Sequence, residues 1–329
     1  MRRNGLIRRL VLAASLGAAL WSAGASADPV TVQAIPTGLE TGELPSLSVG
    51  RLIYRGGLVL RSSDRRFGGL SGLWVSEDGG RMVAISDHAD WLTANLTYDR
   101  RGWLTGIRDT EMGRLKALNG LPLSHDHTQM DAESLTRLND GSWLVSFERD
   151  HRLWVYDGGL PPFSSKPRAL AMPPGLKDAP FNEGVEAVAA LLDGRILVIS
   201  EGLVVAPGQT AAWIGDGTVW QRLSFALYED FQATDAKALP NGDVMVLERR
   251  FHPITGPGAR LRLIPAASIA PGAVLEGEPL AIIRPPLNVD NMEGLGIRRG
   301  KDEWLIYILS DDNFQVIQKT LLMMFALPD

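Results

Sequence analysis

A short sequence repeat recurs along this chain of 329 residues, and two of its copies are especially clear. Each clear copy consists of an acidic residue, an apolar strand, an Asp-Gly turn, a second apolar strand and a second acidic residue. The clear copies run from Glu133 to Glu148 and from Glu186 to Glu201. Looser copies run from Ser71 to Asp87, from Thr234 to Glu248 and from Glu293 to Asp311. The repeat constrains the fold strongly, because each unit has to bury its apolar face against a neighbouring unit.

The spacing of the copies predicts the architecture. They start at residues 71, 133, 186, 234 and 293, which leaves room for four short strands in each unit. Asp-Gly and Asn-Gly pairs at the turns favour tight hairpins, and the strands are rich in Val, Ile, Leu and Trp. We therefore predict an all-β fold, a β-propeller with five four-stranded antiparallel blades, with six blades as the alternative. A large β-sandwich fits less well, because β-sandwiches seldom show a sequence repeat at this spacing.

The last unit lacks one strand, since only three apolar segments follow residue 293. Residues 51–60 form an apolar segment outside the repeats, and we expect this segment to supply the missing outer strand. Pairing of the two ends of the chain would close the ring.

The first 27 residues have the pattern of an export signal. Four arginines precede an apolar run, and Ala25-Ser26-Ala27 fits a cleavage site. Arg8-Arg9 also fits a loose twin-arginine pattern. We predict a signal peptide over residues 1–27, a single propeller domain over 28–329, and a periplasmic or secreted protein. The alternative is an uncleaved membrane anchor, but the N-terminal apolar run is short for a membrane span. No later apolar segment approaches the length of a membrane span, so no stable span is expected in the mature form.

Charge and cysteine content limit the partners. The chain has 33 basic and 38 acidic residues, and removal of four N-terminal arginines leaves 29 against 38, a net charge of −9. This balance argues against nucleic acid as a partner. There is no cysteine, so disulfides and thiolate zinc sites are excluded. The oligomeric state is left open.

The acids of the repeat are predicted to meet at one end of each hairpin. The first and second strands are antiparallel, so the opening and closing positions lie side by side. If the first strand is innermost, both positions surround one mouth of the channel. The opening positions are Ser71, Glu133, Glu186, Thr234 and Glu293, and the closing positions are Asp87, Glu148, Glu201, Glu248 and Asp311. For a single acid, solvation of a strand end is an equally good explanation.

Many carboxylates around one mouth repel each other and require compensation by arginines, raised pKa values or a cation. A set of oxygen ligands with few histidines favours Ca²⁺, or another hard divalent cation, over zinc or copper. The candidate metal ligands are Glu133, Glu186, Glu293, Glu201, Asp87, Glu248 and Asp311.

Basic residues follow two of the closing acids. Arg149 follows Glu148, and Arg249 follows Glu248. Arginine suits a phosphate or carboxylate group, and His151 is a candidate for proton transfer. The alternative is that both arginines only neutralise the neighbouring acids. His88 could line the same mouth, whereas the spacing of His125-Asp126-His127 is metal-like but favours a surface loop.

Other catalytic patterns are missing from the sequence. It contains no Gly-x-Ser-x-Gly nucleophile elbow, no phosphate-binding Gly-x-x-x-x-Gly-Lys-Ser/Thr loop and no His-Glu-x-x-His.

Several segments resemble the phytase-like family, which is described by an esterase-like activity of phytase. These segments are Phe67–Leu73, Asp131–Leu135, Phe147–Arg152, Asn182–Val188 and Asn291–Leu295. The resemblance covers roughly residues 67 to 326. It implies an exported β-propeller that hydrolyses ester bonds, including phosphate esters with calcium. Ser71 and Thr234 depart from acid at the opening position, so a fully symmetric metal ring is not expected.

The sequence therefore predicts a metal-dependent ester hydrolase with a small anionic or ester substrate. In this reading, Glu133, Glu186 and Glu293 hold the cation with Glu148 or Glu201. The alternatives are a non-catalytic propeller that binds a ligand or protein partner, and a lactonase-like propeller enzyme.

Overall fold

The computed structural model describes residues 27–40, 47–159 and 161–329. The predicted signal peptide therefore lies outside the described residues, apart from Ala27. Within the described ranges, no helix combines the length and apolar character needed to cross a membrane.

Five sheets form the blades of a propeller. The N-terminal strands are β1 (Asp28–Pro29), β2 (Val32–Thr37), β3 (Ser48–Val49) and β4 (Leu52–Ser62). Blade 1 contains β5 (Leu70–Val75), β6 (Arg81–Ser86), β7 (Asp90–Tyr98) and β8 (Leu104–Arg114). Blade 2 contains β9 (Ala132–Arg137), β10 (Trp143–Phe147), β11 (Arg152–Tyr156) and β12 (Arg168–Ala169). Blade 3 contains β13 (Val185–Ala190), β14 (Ile196–Ala206), β15 (Gln209–Gly215) and β16 (Trp220–Ala226).

The remaining blades follow the same order. Blade 4 contains β17 (Gln232–Ala238), β18 (Val244–His252), β19 (Gly256–Ile264) and β21 (Glu278–Ile283). Between β19 and β21 lies the two-residue strand β20 (Val274–Leu275). Blade 5 contains β22 (Asn291–Arg299), β23 (Glu303–Asp311) and β24 (Thr320–Pro328). The described helical segments are short: α1 (His127–Met130) and the 3₁₀ turns Leu176–Asp178 and Ala266–Ser268.

The N-terminal strand β4 closes the ring, as predicted. It pairs with β24 in antiparallel register, with Leu60 opposite Thr320 and Leu58 opposite Leu322. Blade 5 therefore joins both ends of the described chain, and five blades rather than six are confirmed. Blades 2 and 4 have the predicted four strands. Blades 1 and 5 gain outer strands from the N-terminal segment, and β20 adds a parallel strand to blade 3.

The first strand of each blade is innermost. β5, β9, β13, β17 and β22 contact one another in cyclic order around the channel. Glycines allow this close approach at two positions, because a Cβ atom on Gly72 would lie 2.7 Å from the Leu135 nitrogen, and one on Gly294 would lie 2.8 Å from the Leu73 Cβ. Glycine in a strand often marks such a close approach of backbones.

The hydrophobic core is divided among the gaps between blades. Each gap is filled by apolar side chains from the two sheets that face it. Examples are Leu73 with Leu309 between blades 1 and 5, and Leu144 with Val198 between blades 2 and 3. The tight turns of the inner hairpins carry Gly141, Gly194 and Gly242 at φ of 82°, 87° and 90°, which explains the Asp-Gly and Asn-Gly pairs.

Candidate functional site

A register irregularity occurs at the opening position of every repeat. In blade 3, Val185 pairs with Ser200 and Ala187 pairs with Ile199, so Glu186 is an extra residue in the inner strand. Equivalent irregularities include the other opening residues: Ser71, Glu133, Thr234 and Glu293. A β-bulge breaks the alternation of side chains and redirects the extra one. The opening acids are thereby turned away from the sheet faces.

These bulges and the ends of the second strands bring carboxylates together in what we call the acid cluster. Its members are Asp87, Asp131, Glu133, Glu148, Glu186, Glu201, Glu293 and Asp311. Oxygens of Asp131, Glu133 and Glu148 lie within 4.8 Å of one another, and so do oxygens of Glu148, Glu186 and Glu201. Glu148 belongs to both groups and connects the acids of blades 2 and 3.

The acid cluster favours bound protons. Burial, with repulsion from Glu201, raises the pKa of Glu148 to about 8. Burial also raises the pKa of Glu293 to about 8, although Arg249 opposes this shift. The pKa values of Glu133 and Glu186 are raised well above their ordinary value by burial and by neighbouring carboxylates. The cluster therefore carries less negative charge near neutral pH than its composition implies.

Arg249 is the principal counter-ion of the cluster. Its Nε lies 2.9 Å from Glu293 Oε1, and its Nη2 lies 3.1 Å from Glu201 Oε1 and 3.6 Å from Glu186 Oε1. One side chain of blade 4 thus contacts acids of blades 3 and 5. This is the neutralising role that the sequence left open beside substrate binding.

Arg149 neutralises the other side of the cluster. Its Nε lies 2.7 Å from Asp131 Oδ2 and donates to Asn182 Oδ1 at 3.0 Å. Its Nη1 donates to the His127 carbonyl at 2.9 Å. The Arg149 side chain is about a quarter exposed, so it is anchored and still partly accessible from solvent.

Asp87 and Asp311 lie beside a small aromatic wall. Burial, followed by repulsion from Asp311 and Asp131, raises the pKa of Asp87 to about 8. Burial raises the pKa of Asp311 to about 6. The neighbouring His88 ring stacks on Phe314 with centroids 4.1 Å apart. Phe314 was not singled out from the sequence, because its loop has no repeat signal.

His151 lies behind Glu148. Its ring packs against Gly184, whose backbone N–H donates to Glu148 Oε1. Burial lowers the pKa of His151, and hydrogen bonds with the backbone at Ala179 and Pro180 partly offset this shift. The ring is thus placed to hold the Gly184 amide against Glu148.

Glu248 has a different environment from the other closing acids. Arg260 Nε and Nη2 donate to its two carboxylate oxygens at 2.6 and 2.8 Å, and Arg262 Nη2 donates at 2.7 Å. Glu248 is fully buried and is not among the carboxylates grouped around Glu148. Its oxygens are occupied by arginines of β19, which the sequence repeat did not reveal.

The histidines of the loop before blade 2 are exposed, as expected for a surface loop. Asp126 caps α1 by accepting from the Thr128 amide at 3.0 Å. The His127 ring nevertheless lies 6.2 Å from the His88 ring, which brings this loop close to the acid cluster.

A buried ion pair lies at the inner wall of the channel. Lys237 Nζ lies 2.5 Å from Asp235 Oδ1, and Asp235 also accepts from Ser134 Oγ at 3.0 Å and from the Leu295 amide at 2.8 Å. Ser134 Oγ accepts in turn from the Val188 amide at 3.2 Å. The network joins blades 2, 3, 4 and 5 next to the bulges that carry Glu133 and Glu293.

The acid cluster has the chemistry of a site for a hard cation. Among the described buried side-chain atoms, Asp87 Oδ1 and Glu186 Oε2 have no hydrogen-bond partner. Buried acceptors without donors are rare, and the nearby candidate ligands all offer oxygen. The group Asp131, Glu133 and Glu148 and the group Glu148, Glu186 and Glu201 therefore each fit Ca²⁺ or a similar ion.

Comparisons with solved structures found proteins of low sequence identity. A gluconolactonase from Xanthomonas campestris has 14% identity and a TM-score of 0.44, with 91% of this chain and 99% of that chain covered. An α-L-arabinofuranosidase from Podospora anserina, solved with cellotriose, has 9% identity and a TM-score of 0.49, with 91% and 98% covered. A β-propeller domain from Myceliophteria thermophila has 10% identity and a TM-score of 0.41, with 92% and 99% covered. Similarities of this size say nothing about what this chain acts on.

Among the curated proteins compared, none matches this chain. The phytase-like family, described as "Esterase-like activity of phytase", matches residues 65–314. The match spans all five inner strands and every member of the acid cluster. The chain belongs to the phytase-like family.

Proposed function

We propose that this protein is a hydrolase of phosphate or carboxylic esters that works at the acid cluster with a bound hard divalent cation such as Ca²⁺. The observation that carries the proposal is the presence of two sets of three acidic residues that share Glu148. Within each set, carboxylate oxygens lie within 4.8 Å of one another. Membership of a family described by esterase-like activity supports the reaction class.

Each residue of the site has a proposed role. Glu186 and Glu201, which are grouped with Glu148, are the principal proposed cation ligands, with Glu133, Glu293, Asp87 and Asp311 as further candidates. When bound, the cation would supply Lewis-acid polarisation of an ester oxygen. Arg149 and Arg249, whose side chains are partly exposed, would orient the anionic part of the substrate.

Glu148 is the proposed proton carrier. Burial raises the pKa of the Glu148 carboxyl to about 8 in the cation-free protein, and a bound cation nearby would lower this pKa toward the range useful for general acid–base catalysis. The Gly184 amide fixes one oxygen of this carboxyl, and His151 packs behind Gly184. We assign His151 the supporting role of positioning Glu148.

The proposal includes export, on the basis of the N-terminal sequence pattern. N-terminal sequencing of the protein from a periplasmic fraction is expected to begin at Asp28. A start at Met1 in that fraction would contradict cleavage of the signal.

The function is tested by a substrate panel with purified residues 28–329. The panel contains p-nitrophenyl phosphate, p-nitrophenyl acetate and δ-valerolactone, each with Ca²⁺ and with a chelator. We expect turnover of an ester with Ca²⁺, loss in chelator and recovery on adding Ca²⁺ back. Turnover of the lactone alone would indicate a lactonase. No turnover, with a melting temperature that rises with Ca²⁺, would indicate a non-catalytic propeller in which Arg249 and the cation only stabilise the ring.

A further inference from the structure

The two ends of the propeller present different residues to solvent. Away from the acid cluster, the inner hairpins turn through polar pairs such as Asp140-Gly141 and Asn241-Gly242. At the acid-cluster end, the second and third strands of blades 3, 4 and 5 are joined by segments 201–208, 250–256 and 312–319. These segments extend beyond the inner strands, because β13, β17 and β22 begin opposite the residues at which the segments start.

Several of the most exposed side chains of these segments are apolar, although polar residues such as Asn313 and Gln315 lie between them. We call these apolar side chains the apolar rim: Val204, Phe251, Ile254, Phe314, Val316 and Ile317. Apart from Phe314, which is 38% exposed, each member exposes at least 65% of its surface. Single exposed apolar residues are ordinary, but several from three adjacent blades around one opening are not.

The apolar rim is continuous with the acid cluster. Phe251 follows Arg249 by two residues on β18, and Arg249 contacts three acids of the cluster. The Phe314 ring lies against Gly69, and Asp87 Oδ1 lies against the same glycine. A molecule with a polar group at the cluster therefore meets apolar side chains immediately outside it.

Charge distinguishes between classes of substrate. The acids of the cluster outnumber the two guanidiniums that contact them, Arg149 and Arg249, and each guanidinium already binds carboxylates. A substrate with many anionic groups would find few free donors there. A substrate with one polar ester group and an apolar remainder matches both parts of the surface.

We propose that the apolar rim binds the hydrocarbon part of an amphiphilic ester, while the ester group lies at the acid cluster. This inference rests on the proposed function and specifies its substrate class. Burial of hydrocarbon is expected to raise affinity by about two- to fourfold for each methylene that reaches the rim.

Binding of non-hydrolysable probes tests the rim without requiring turnover. Methyl-, butyl- and octylphosphonate are titrated calorimetrically into the Ca²⁺-loaded protein. Affinity is expected to rise with chain length, with a negative heat-capacity change for the octyl probe. The double variants Phe251→Ser/Ile254→Ser and Val316→Ser/Ile317→Ser should each shrink the methyl-to-octyl difference by tenfold or more. The matched control is Val219→Ser. Val219 is an exposed apolar residue in the turn before β16, at the opposite end of the propeller, so its substitution should leave the methyl-to-octyl difference in affinity unchanged.

Several results would overturn the inference. Affinity independent of chain length, no binding of octylphosphonate, or an equal effect of Val219→Ser would each do so. Self-association that the rim variants abolish would assign the rim to contact with a second copy of the chain instead. Sedimentation with phosphatidylcholine vesicles that the same variants abolish would assign it to a membrane. Turnover of short esters without chain-length dependence would overturn this inference and leave the proposed function standing. Chain-length-dependent binding without turnover of any ester would reject the proposed function and retain the rim as a binding surface.

Discussion

Arg249 Nε lies 2.9 Å from Glu293 Oε1, and the two residues belong to different blades. The same guanidinium reaches Glu201 Oε1 of a third blade at 3.1 Å. Arg249 therefore ties three blades together through charges that would otherwise repel. The proposed cation would neutralise the same carboxylates, so we expect the cation and this guanidinium to act as alternative counter-ions.

Replacing Arg249 should make the fold depend on calcium. In chelator, Arg249→Met is expected to lower the free energy of unfolding by on the order of 2 kcal/mol, because buried acids lose a partner that is itself partly exposed. Ca²⁺ should raise the melting temperature of the variant more than that of the wild type. Thermal unfolding with and without Ca²⁺ measures both effects. Arg250→Met, one residue away, is the control. Equal stability of Arg249→Met and wild type in chelator would contradict the counter-ion role.

The acid cluster predicts a specific pH dependence. The pKa values of Glu148 and Glu293 are about 8 in the folded protein, against an ordinary value of 4.5. The folded state thus binds these protons more tightly than the unfolded chain, and stability should fall as the pH rises from about 4.5 to about 8. Ca²⁺ replaces the protons, so its stabilising effect should be larger at pH 8 than at pH 5, since its ligands must be deprotonated. Melting temperatures that do not change with pH in chelator would contradict these shifts.

Glu248 and Glu201 occupy equivalent positions in the repeat but should respond differently to substitution. Glu248→Gln leaves Arg260 and Arg262 without their charged acceptor in a buried setting, and should cost about 3–5 kcal/mol of unfolding free energy. Glu201→Gln weakens one contact with Arg249 but also relieves repulsion within the acid cluster. The expected loss of unfolding free energy is therefore about 1 kcal/mol or less. Urea unfolding of both variants measures the difference. Similar costs would mean that Glu248 does not have a separate structural role.

The buried pair Asp235 and Lys237 should be important for the closed ring. Asp235→Asn leaves the Lys237 ammonium buried without an anionic partner, and a loss of about 3–5 kcal/mol is expected. The double variant Asp235→Asn/Lys237→Met removes the unpaired charge and should recover much of that loss. Urea unfolding of the single and double variants measures the recovery. A double variant as unstable as the single one would show that the hydrogen bonds of Asp235, rather than its charge, matter most.

Much of the fold was predictable because it follows from a repeated local pattern. The Asp-Gly turns, the alternation of apolar strands and the spacing of the copies predicted five blades. The shortage of one strand in the last unit also predicted closure by residues 51–60, and all of these except residue 51 lie in β4. Small outer additions such as β20 were missed, because a two-residue parallel strand leaves no periodic signal.

The candidate site was predicted less completely, because its details depend on contacts between blades. The repeat placed Glu248 with Glu201, but only the three-dimensional structure shows Arg260 and Arg262 around Glu248. The β-bulges at Glu186 and its equivalents depend on register, which cannot be read from one strand alone. Phe314 reaches the cluster from a loop outside the repeat.

The most direct test of the central claim is the effect of Glu186→Gln on both turnover and stability. The substitution keeps the side chain's size and removes a carboxylate from the proposed cation site. With Ca²⁺ present, we expect ester turnover to fall by at least about a hundredfold, because the proposed cation loses a ligand. The urea midpoint of unfolding should match that of the control Glu77→Gln, which replaces an exposed acid at the opposite end of the propeller. Full turnover by Glu186→Gln would contradict the assignment of the acid cluster as the catalytic site.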